Sequence, residues 1–164
     1  MRSPRSTRGL VTLAAAIVTA SSAIAAQAPA SADIVIGDGL AGVSLGMTPA
    51  QVRGVLGKPK RVVKGTNEFG RYRVFRYPHK VRITIMGRSV ITTWTTGRYE
   101  RTATGVGVGS TARQVRAGVP GVVCEKIAGI RYCHVGDYNP GETVTEFKIK
   151  HRVVKRALVG RVID

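Results

Sequence analysis

Apolar and polar residues alternate in several short stretches of the chain, and Gly, Pro or charged residues separate one stretch from the next. A period of two is the pattern of a β-strand with one buried face. It predicts two groups of four strands joined by short turns, so that each group forms an antiparallel meander. The first group lies near 60–64, 71–78, 81–86 and 89–97, and the second near 121–125, 130–136, 143–149 and 153–159.

A short stretch with helical spacing precedes each group of strands. In the first stretch Val52, Val55 and Leu56 fall on one side of a helix. A threonine hydroxyl can accept a hydrogen bond from the first turn, and a glutamine three residues later can bond back to the cap, which together make a capping box. We predict such boxes at Thr48 with Gln51 and at Thr111 with Gln114.

Both helix starts belong to a longer internal repeat. The stretch "GVSLGMTPAQVR" begins at Gly42, and "GVGVGSTARQVR" begins 63 residues later at Gly105. One helix and about four strands bury little core alone, so two copies must share one. We therefore predict an α+β fold of two tandem repeats, 39–100 and 102–164, each a short capped helix followed by an antiparallel meander. They share one curved sheet and form a single domain, 33–164.

The amino terminus has the pattern of a secretory signal. Arg2, Arg5 and Arg8 precede an Ala-rich apolar run and then small residues. The run is interrupted by polar residues and falls short of the roughly 20 apolar residues that a membrane span needs. We predict a signal peptide at 1–32, cleaved after Ala28 or Ala32, a secreted protein, and no transmembrane span in the mature chain.

The mature chain is strongly basic. Of the 26 Lys and Arg residues three lie in the predicted signal, and subtracting the 9 acidic residues from the remainder leaves a formal charge of +14. Such a field attracts polyanions and speeds association with acidic proteins, but it does not choose between them. The basic residues are spread along the strands, which is also the pattern of strand positions that face solvent.

Cys124 and Cys133 are the only cysteines. Disulfides persist outside the cytoplasm, and the short separation around Gly129 predicts a disulfide bond across a hairpin. A metal site needs more ligands than this pair with His134 supplies, so we predict no metal.

The sequence predicts no catalytic residues and no cofactor. The three histidines, His79, His134 and His151, are dispersed, and no nucleophile motif or metal-ligand spacing is present. We therefore expect a protein that is not an enzyme. A small secreted hydrolase, as a minor alternative, would need a pocket with converging carboxylates or histidines.

Aromatic residues and arginines lie close together along the predicted strands. Both residue types anchor protein interfaces, and both also stack on bases or bind phosphates. The core is an equally good location for Phe75 and Trp94. The predicted partner-binding residues are Tyr72, Arg73, Phe75, Tyr77, Trp94, Arg98, Tyr99, Arg131 and Tyr132.

We expect a monomer that binds an acidic extracellular or envelope protein through one sheet face. The alternative is a basic envelope protein that binds a polyanion, either a wall polymer or nucleic acid. Salt distinguishes these alternatives, because binding through phosphate neutralisation weakens steeply with salt.

The motif "VSLGMTPAQVRGVLGKP", from Val43 to Pro59, resembles the signature of the β-lactamase-inhibitor-protein-like fold. That fold occurs in secreted actinobacterial inhibitor proteins and in the small lipoprotein of the outer-membrane barrel assembly machinery. The tandem arrangement is similar to the inhibitors, in which two helix-plus-four-strand units form one long sheet with a concave binding face. The resemblance implies an inhibitor-like module. The chain departs from the lipoprotein branch because it has no lipobox.

Overall fold

A computed structural model describes residues 33–163. The predicted signal peptide at 1–32 and its cleavage site lie outside these residues. The described part begins with three two-residue strands, β1 (Ile34–Val35), β2 (Gly39–Leu40) and β3 (Val43–Ser44), which form a small antiparallel sheet in that order. None of the helices within 33–163 is both long and apolar enough to cross a membrane.

Two short helices follow at separate points of the chain, α1 (Pro49–Leu56) and α2 (Ala112–Gly118). Each begins with a capping box. The backbone amide of Gln51 donates to the Thr48 hydroxyl at 3.3 Å, and the backbone amide of Thr48 donates to the Gln51 side-chain oxygen at 2.8 Å. Thr111 and Gln114 form the same two bonds at 3.2 and 2.8 Å. The caps satisfy amide donors that have no partner inside the helix.

Eight longer strands form one antiparallel sheet. Four of them follow α1 and make the first meander: β4 (Arg61–Asn67), β5 (Gly70–Arg76), β6 (Val81–Met86) and β7 (Ser89–Thr95). Four follow α2 and make the second meander: β8 (Val123–Ile127), β9 (Ile130–Val135), β10 (Thr143–Lys150) and β11 (Val153–Arg161). The order in the sheet is β4-β5-β6-β7-β11-β10-β9-β8, so β7 and β11 join the meanders.

One face of this sheet is covered. β2 contacts both β7 and β11 at the centre, and α2 contacts β8 and β9. Val52 of α1, Val115 of α2 and Leu40 of β2 belong to the same buried cluster as Ile83 and Phe147 of the large sheet. We call this the covered face. The side chains at alternate positions of the same strands point to the other side, which we call the open face.

The predicted disulfide between Cys124 and Cys133 is present. The two cysteines are directly opposite each other on β8 and β9, and their side chains lie on the covered face, beside buried Phe147. The bond ties the edge strand β8 to the rest of the sheet.

The predicted fold class is wrong. The structure is mostly β, with an eight-stranded and a three-stranded sheet, and its α-helices have only eight and seven residues. The small sheet also breaks the predicted equivalence of the two repeats. Within 33–163 the corresponding segment before α2 has only an isolated bridge between Arg101 and Gly107.

The difference before the two helices has a local cause. A Cβ atom at Gly39 would collide with the Val43 carbonyl oxygen, so only glycine allows β2 and β3 to approach this closely. The corresponding residue 63 positions later is Thr102. Its hydroxyl accepts a hydrogen bond from the Val106 amide at 3.0 Å and closes a loop instead.

Candidate binding face

A single row of directly opposed residues crosses all eight strands on the open face. In sheet order from β4 to β8, the residues are Arg61, Arg76, Arg82, Trp94, Leu158, Glu146, His134 and Val123. We call it the cross-strand row. Opposed side chains on one sheet face lie about 5 Å apart, so each member can touch the next. The row has three arginines at one end, Trp94 and Leu158 at the centre, and a glutamate and a histidine towards the other end.

The arginine end carries charge that the protein does not neutralise. Arg61, Arg76 and Arg82 form no ion pair with any carboxylate in the described part of the chain. The Arg76 Nε is buried without a hydrogen-bond partner among these residues. Burial, and secondarily the charge of Arg76, lower the pKa of Arg82. The side chains are therefore held close together at a cost in charge repulsion.

Trp94, at the centre of the cross-strand row, packs against Arg82. The Arg82 guanidinium carbon lies 5.8 Å from the centroid of the Trp94 ring, within the range of a cation–π contact. An Arg82 side-chain nitrogen also donates to the Val81 carbonyl at 3.1 Å. Trp94 is half-buried, so one part of the ring packs on the sheet while the rest is accessible.

The opposite end of the row is neutralised internally. An Arg156 side-chain nitrogen donates to Glu146 at 2.8 Å, and the Tyr138 hydroxyl donates to the same carboxylate at 3.1 Å. His134 Nε2 lies 3.5 Å from Glu125. Burial, followed by the neighbouring Glu146 charge, raises the pKa of Tyr138. Glu125 and Glu146 therefore already contact side chains of the protein itself.

His134 lies between two oxygen acceptors. Its Nδ1 is 2.9 Å from the Gly136 carbonyl oxygen, and its Nε2 faces the Glu125 carboxylate. A carbonyl can only accept, so Nδ1 carries a proton, and the contact of Nε2 with Glu125 is an ion pair only when the ring is also protonated there. The ring also packs against Tyr138 at 4.8 Å between centroids.

Two further aromatic side chains extend the open face on either side of the row. Tyr72 lies over Gly65, where a Cβ atom would collide with the ring. Tyr132 is covered by Lys148, whose Nζ is 5.5 Å from the ring centroid. Gly160 lies near the centre, opposite Thr92. The open face therefore presents Tyr72 and Tyr132 on either side of the central Trp94 and Leu158.

The structure brings together only part of the set predicted to bind a partner. Tyr72, Trp94 and Tyr132 share the open face. Phe75 is 1% exposed and Tyr77 is 5% exposed, with its hydroxyl bonded to the Gly57 carbonyl. These two residues belong to the core and are not accessible to a partner.

The remaining members of that set lie elsewhere. Arg73 and Arg131 are opposite Ile85 and Ile149, which places both arginines on the covered face. Arg98 and Tyr99 follow β7, and Tyr99 is 69% exposed and packs against His79 at 4.2 Å between ring centroids.

The sequence did not single out Arg61, Arg82 or Leu158 as site residues. The alternation of side chains along a strand could have indicated part of the open face, because Tyr72, Val74 and Arg76 occupy alternate positions of one strand. Leu158 could not be found this way, since its place beside Trp94 depends on the pairing of β7 with β11. Among residues 33–163, no group of three or more His, Cys, Asp or Glu side chains could hold a metal ion.

Comparisons with known proteins identify no family for the chain. No protein-family model matches the sequence. No curated protein matches it either.

Solved structures of bacterial proteins match part of this chain. An extracellular protein containing an SCP domain from Bacillus anthracis has a TM-score of 0.51 and 12% identity, covering 71% of this chain and 44% of that chain. A cysteine-rich secretory protein from Staphylococcus aureus has a TM-score of 0.45 and 10% identity, covering 71% and 44%. A DUF4309 family protein from Bacillus subtilis has a TM-score of 0.45 and 13% identity, covering 74% and 84%.

This chain spans less than half the length of the first two structures. At 12% identity the similarity to the Bacillus anthracis protein concerns the fold alone. None of these three proteins is named as a β-lactamase inhibitor, and the resemblance of the Val43–Pro59 motif to that fold stays a prediction.

Proposed function

We propose that this protein is a secreted, non-enzymatic binding protein that docks its open face onto an acidic surface of a protein partner. The observation that carries the proposal is the polarised cross-strand row. The row offers unpaired cations at one end, an aromatic centre, and an internally neutralised acidic end. A partner with carboxylates opposite β4 to β6 and an apolar contact opposite β7 and β11 complements it.

The unpaired arginines of the cross-strand row favour an acidic partner surface. Arg76 is directly opposite both Arg61 and Arg82, and like charges directly opposite each other destabilise a sheet. A partner carboxylate between them would relieve that repulsion by binding the guanidinium groups. On the open face of the second meander, Glu146 and Glu125 already contact Arg156 and His134.

The aromatic and arginine side chains of the open face, and its width, are suited to a protein interface. Tyr, Trp and Arg dominate the binding energy of protein interfaces, and Tyr72, Trp94 and Arg82 supply all three types on adjoining strands. Eight strands at ~4.8 Å spacing give a face about 34 Å wide. That width accommodates the ~800 Å² that a standard interface takes from each partner.

Two features support secretion. The predicted signal at 1–32 directs export, and the Cys124–Cys133 disulfide is stable in an oxidising compartment. The resemblance of the first capped helix to the inhibitor-type signature supports an inhibitor-like role for the open face. Inhibition would follow if the face covers a catalytic cleft of its partner.

The test is affinity capture from the organism's own culture supernatant and wall fraction, with the mature chain 33–164 immobilised. We expect a discrete acidic protein that stays bound at high salt. Trp94→Ala and the double change Arg76→Gln with Arg82→Gln should each abolish capture.

The matched control is Tyr99→Ala, which removes an exposed aromatic side chain away from the open face. It should capture the same protein as the unchanged chain. Equal loss with Tyr99→Ala, or capture that survives both open-face variants, would contradict docking through the open face.

A further inference from the structure

Two cationic clefts lie at opposite corners of the sheet. The first has a volume of about 690 Å³ and is lined by Lys64, Gly65, Thr66, Arg71, Tyr72, Arg73 and Gly87, so that Tyr72 borders both this cleft and the open face. The second has a volume of about 420 Å³ and is lined by Lys126, Arg131, Lys150, His151 and Arg152 with their strand neighbours. Among the described residues no Asp or Glu lines either cleft.

The positions of the clefts follow from the strand directions. Each cleft lies where the tip of an outer hairpin meets the tip of the inner hairpin beside it. Because β7 and β11 are antiparallel, the tips of the first meander point to one end of the sheet and those of the second meander to the other. The outer hairpins also lie at opposite edges, so the clefts are diagonally opposed.

In each cleft one opposed pair of cations lies on the covered face, at its margin. Lys64 is opposite Arg73, which is opposite the buried Ile85. Lys126 is opposite Arg131, which is opposite the buried Ile149. Each hairpin thus places two like charges directly opposite each other, an arrangement that destabilises a free sheet and that a bound anion would stabilise.

Local backbone and side-chain geometry supports an anion site in each cleft. An Arg73 side-chain nitrogen donates to the Gly87 carbonyl at 3.3 Å, which orients the guanidinium in the first cleft. In the second cleft the turn residues His151 and Arg152 have φ angles of 50° and 68°. Such turns favour Asn and Gly, so His151 and Arg152 hold this backbone conformation at a cost in strain.

We propose that the two clefts bind phosphate groups of one linear phosphate polymer, which passes over the covering layer from corner to corner. Arginine is suited to this chemistry because its planar guanidinium binds phosphate oxygens in pairs. Arg113 and Arg116 are exposed on α2, the part of the covering layer that contacts β8 and β9. A folded acidic protein reaches both corners less readily than an extended chain does, since helices and the small sheet lie between them.

A polymer that contacts both clefts at once should bind more tightly than one that contacts a single cleft. The clefts are diagonally opposed, so a polymer that is longer than the sheet width of about 34 Å occupies both clefts, whereas a shorter one occupies only one. The second contact is then intramolecular and strengthens binding by 100-fold or more, on the order expected for linked sites.

Calorimetry on the mature chain tests this with inorganic phosphate and with short and long linear polyphosphate. We expect the long polymer to bind about 100-fold more tightly than the short one. Lys64→Gln with Arg71→Gln, or Lys126→Gln with Arg131→Gln, should each remove that advantage. No gain with length would overturn the proposal.

The matched control is Lys58→Gln with Lys60→Gln, which removes the same charge from exposed positions outside both clefts. It should keep the advantage of the long polymer. If it weakens binding as much as the cleft variants do, the charge acts as a diffuse field and the clefts are not sites.

The source of the phosphate is distinguished by two phosphodiester polymers with the same number of phosphates, polyglycerol phosphate and oligothymidylate. Equal binding of both supports recognition of the phosphate chain itself. Binding only of oligothymidylate, with no binding of polyglycerol phosphate or polyphosphate, would show base recognition and overturn the proposal. None of the cleft variants alters an open-face residue, so capture of a protein partner is a separate result.

Discussion

The two meanders share one strand order but are stabilised by different interactions. The first meander, β4 to β7, contains no cysteine and no ion pair within the described residues, and three arginines on its open face lack acidic partners. The second, β8 to β11, has the disulfide, the Arg156–Glu146 ion pair and the contact between His134 and Glu125. On the open face, the acidic side chains of the second meander already contact basic side chains, whereas the opposed arginines of the first meander have no acidic partner among residues 33–163.

Removal of the disulfide should have the largest effect on stability. Replacing Cys124 and Cys133 by alanine releases the edge strand β8, and the entropic model gives a loss of about 2.5 kcal/mol for a loop this short. Thermal unfolding of the variant measures the loss, and hydrogen exchange locates it. Faster exchange should be confined to β8 and β9, and equal acceleration in β4 and β5 would contradict the division between the meanders.

Glu146→Gln should have the next largest effect. It weakens a partly exposed ion pair with Arg156 and the hydrogen bond from Tyr138, so we expect a loss of about 1–2 kcal/mol in the free energy of unfolding. The counterpart in the first meander is Arg82→Gln, which removes an unpaired charge beside Arg76 and should leave stability unchanged within about 0.5 kcal/mol. Urea unfolding of both variants makes the comparison, and a larger loss for Arg82→Gln would reverse it.

The helix caps are the feature in which the two halves agree. Thr48→Ala and Thr111→Ala each remove the hydroxyl that accepts from the first turn, and each should cost about 1 kcal/mol. Serine at either position is the control, since its hydroxyl can cap in the same way. Unequal losses, or no change in melting temperature at one site, would show that the two caps do not contribute alike.

The smallest expected effect concerns alkaline pH. Tyr138 has a raised pKa in the folded protein because of burial and the Glu146 charge. In the unfolded chain the hydroxyl ionises near its ordinary value of 10.0. The unfolded state therefore releases this proton first, so stability falls as pH rises above that value. Tyr138→Phe should make the fall shallower, whereas Tyr99→Phe, an exposed control, should not.

Much of the local structure could be predicted from the sequence because its signals are short in range. The eight strands of the large sheet lie within a few residues of the predicted stretches. The disulfide and the Thr-x-x-Gln helix starts depend on residues that lie close together along the chain.

The arrangement across the sheet could not be predicted in the same way. Val90, Thr92 and Trp94 are about as apolar as Ile91, Thr93 and Thr95, so alternation alone does not assign a face to Trp94. The pairing of β7 with β11 assigns it, with Thr93 and Thr95 buried and Trp94 opposite Leu158. That pairing joins residues more than 60 positions apart, and the turn signals do not encode it.

The two copies share most positions of the internal repeat, which favours two equivalent units. Gly39 and Thr102 differ at one position, where the first copy forms a tight strand pair and the second closes a loop.

The place of β11 sets the order in which the sheet can be completed during synthesis. Strands β4 to β7 can pair as soon as they are made, but β11 contains the last strand residues of the described chain and lies between β7 and β10 at the centre of the sheet. Until Val153–Arg161 is made, β7 and β10 both expose an unpaired edge. A nascent chain therefore cannot close its sheet early, and a truncation after Lys150 would remove the middle of the structure while leaving both of its edges.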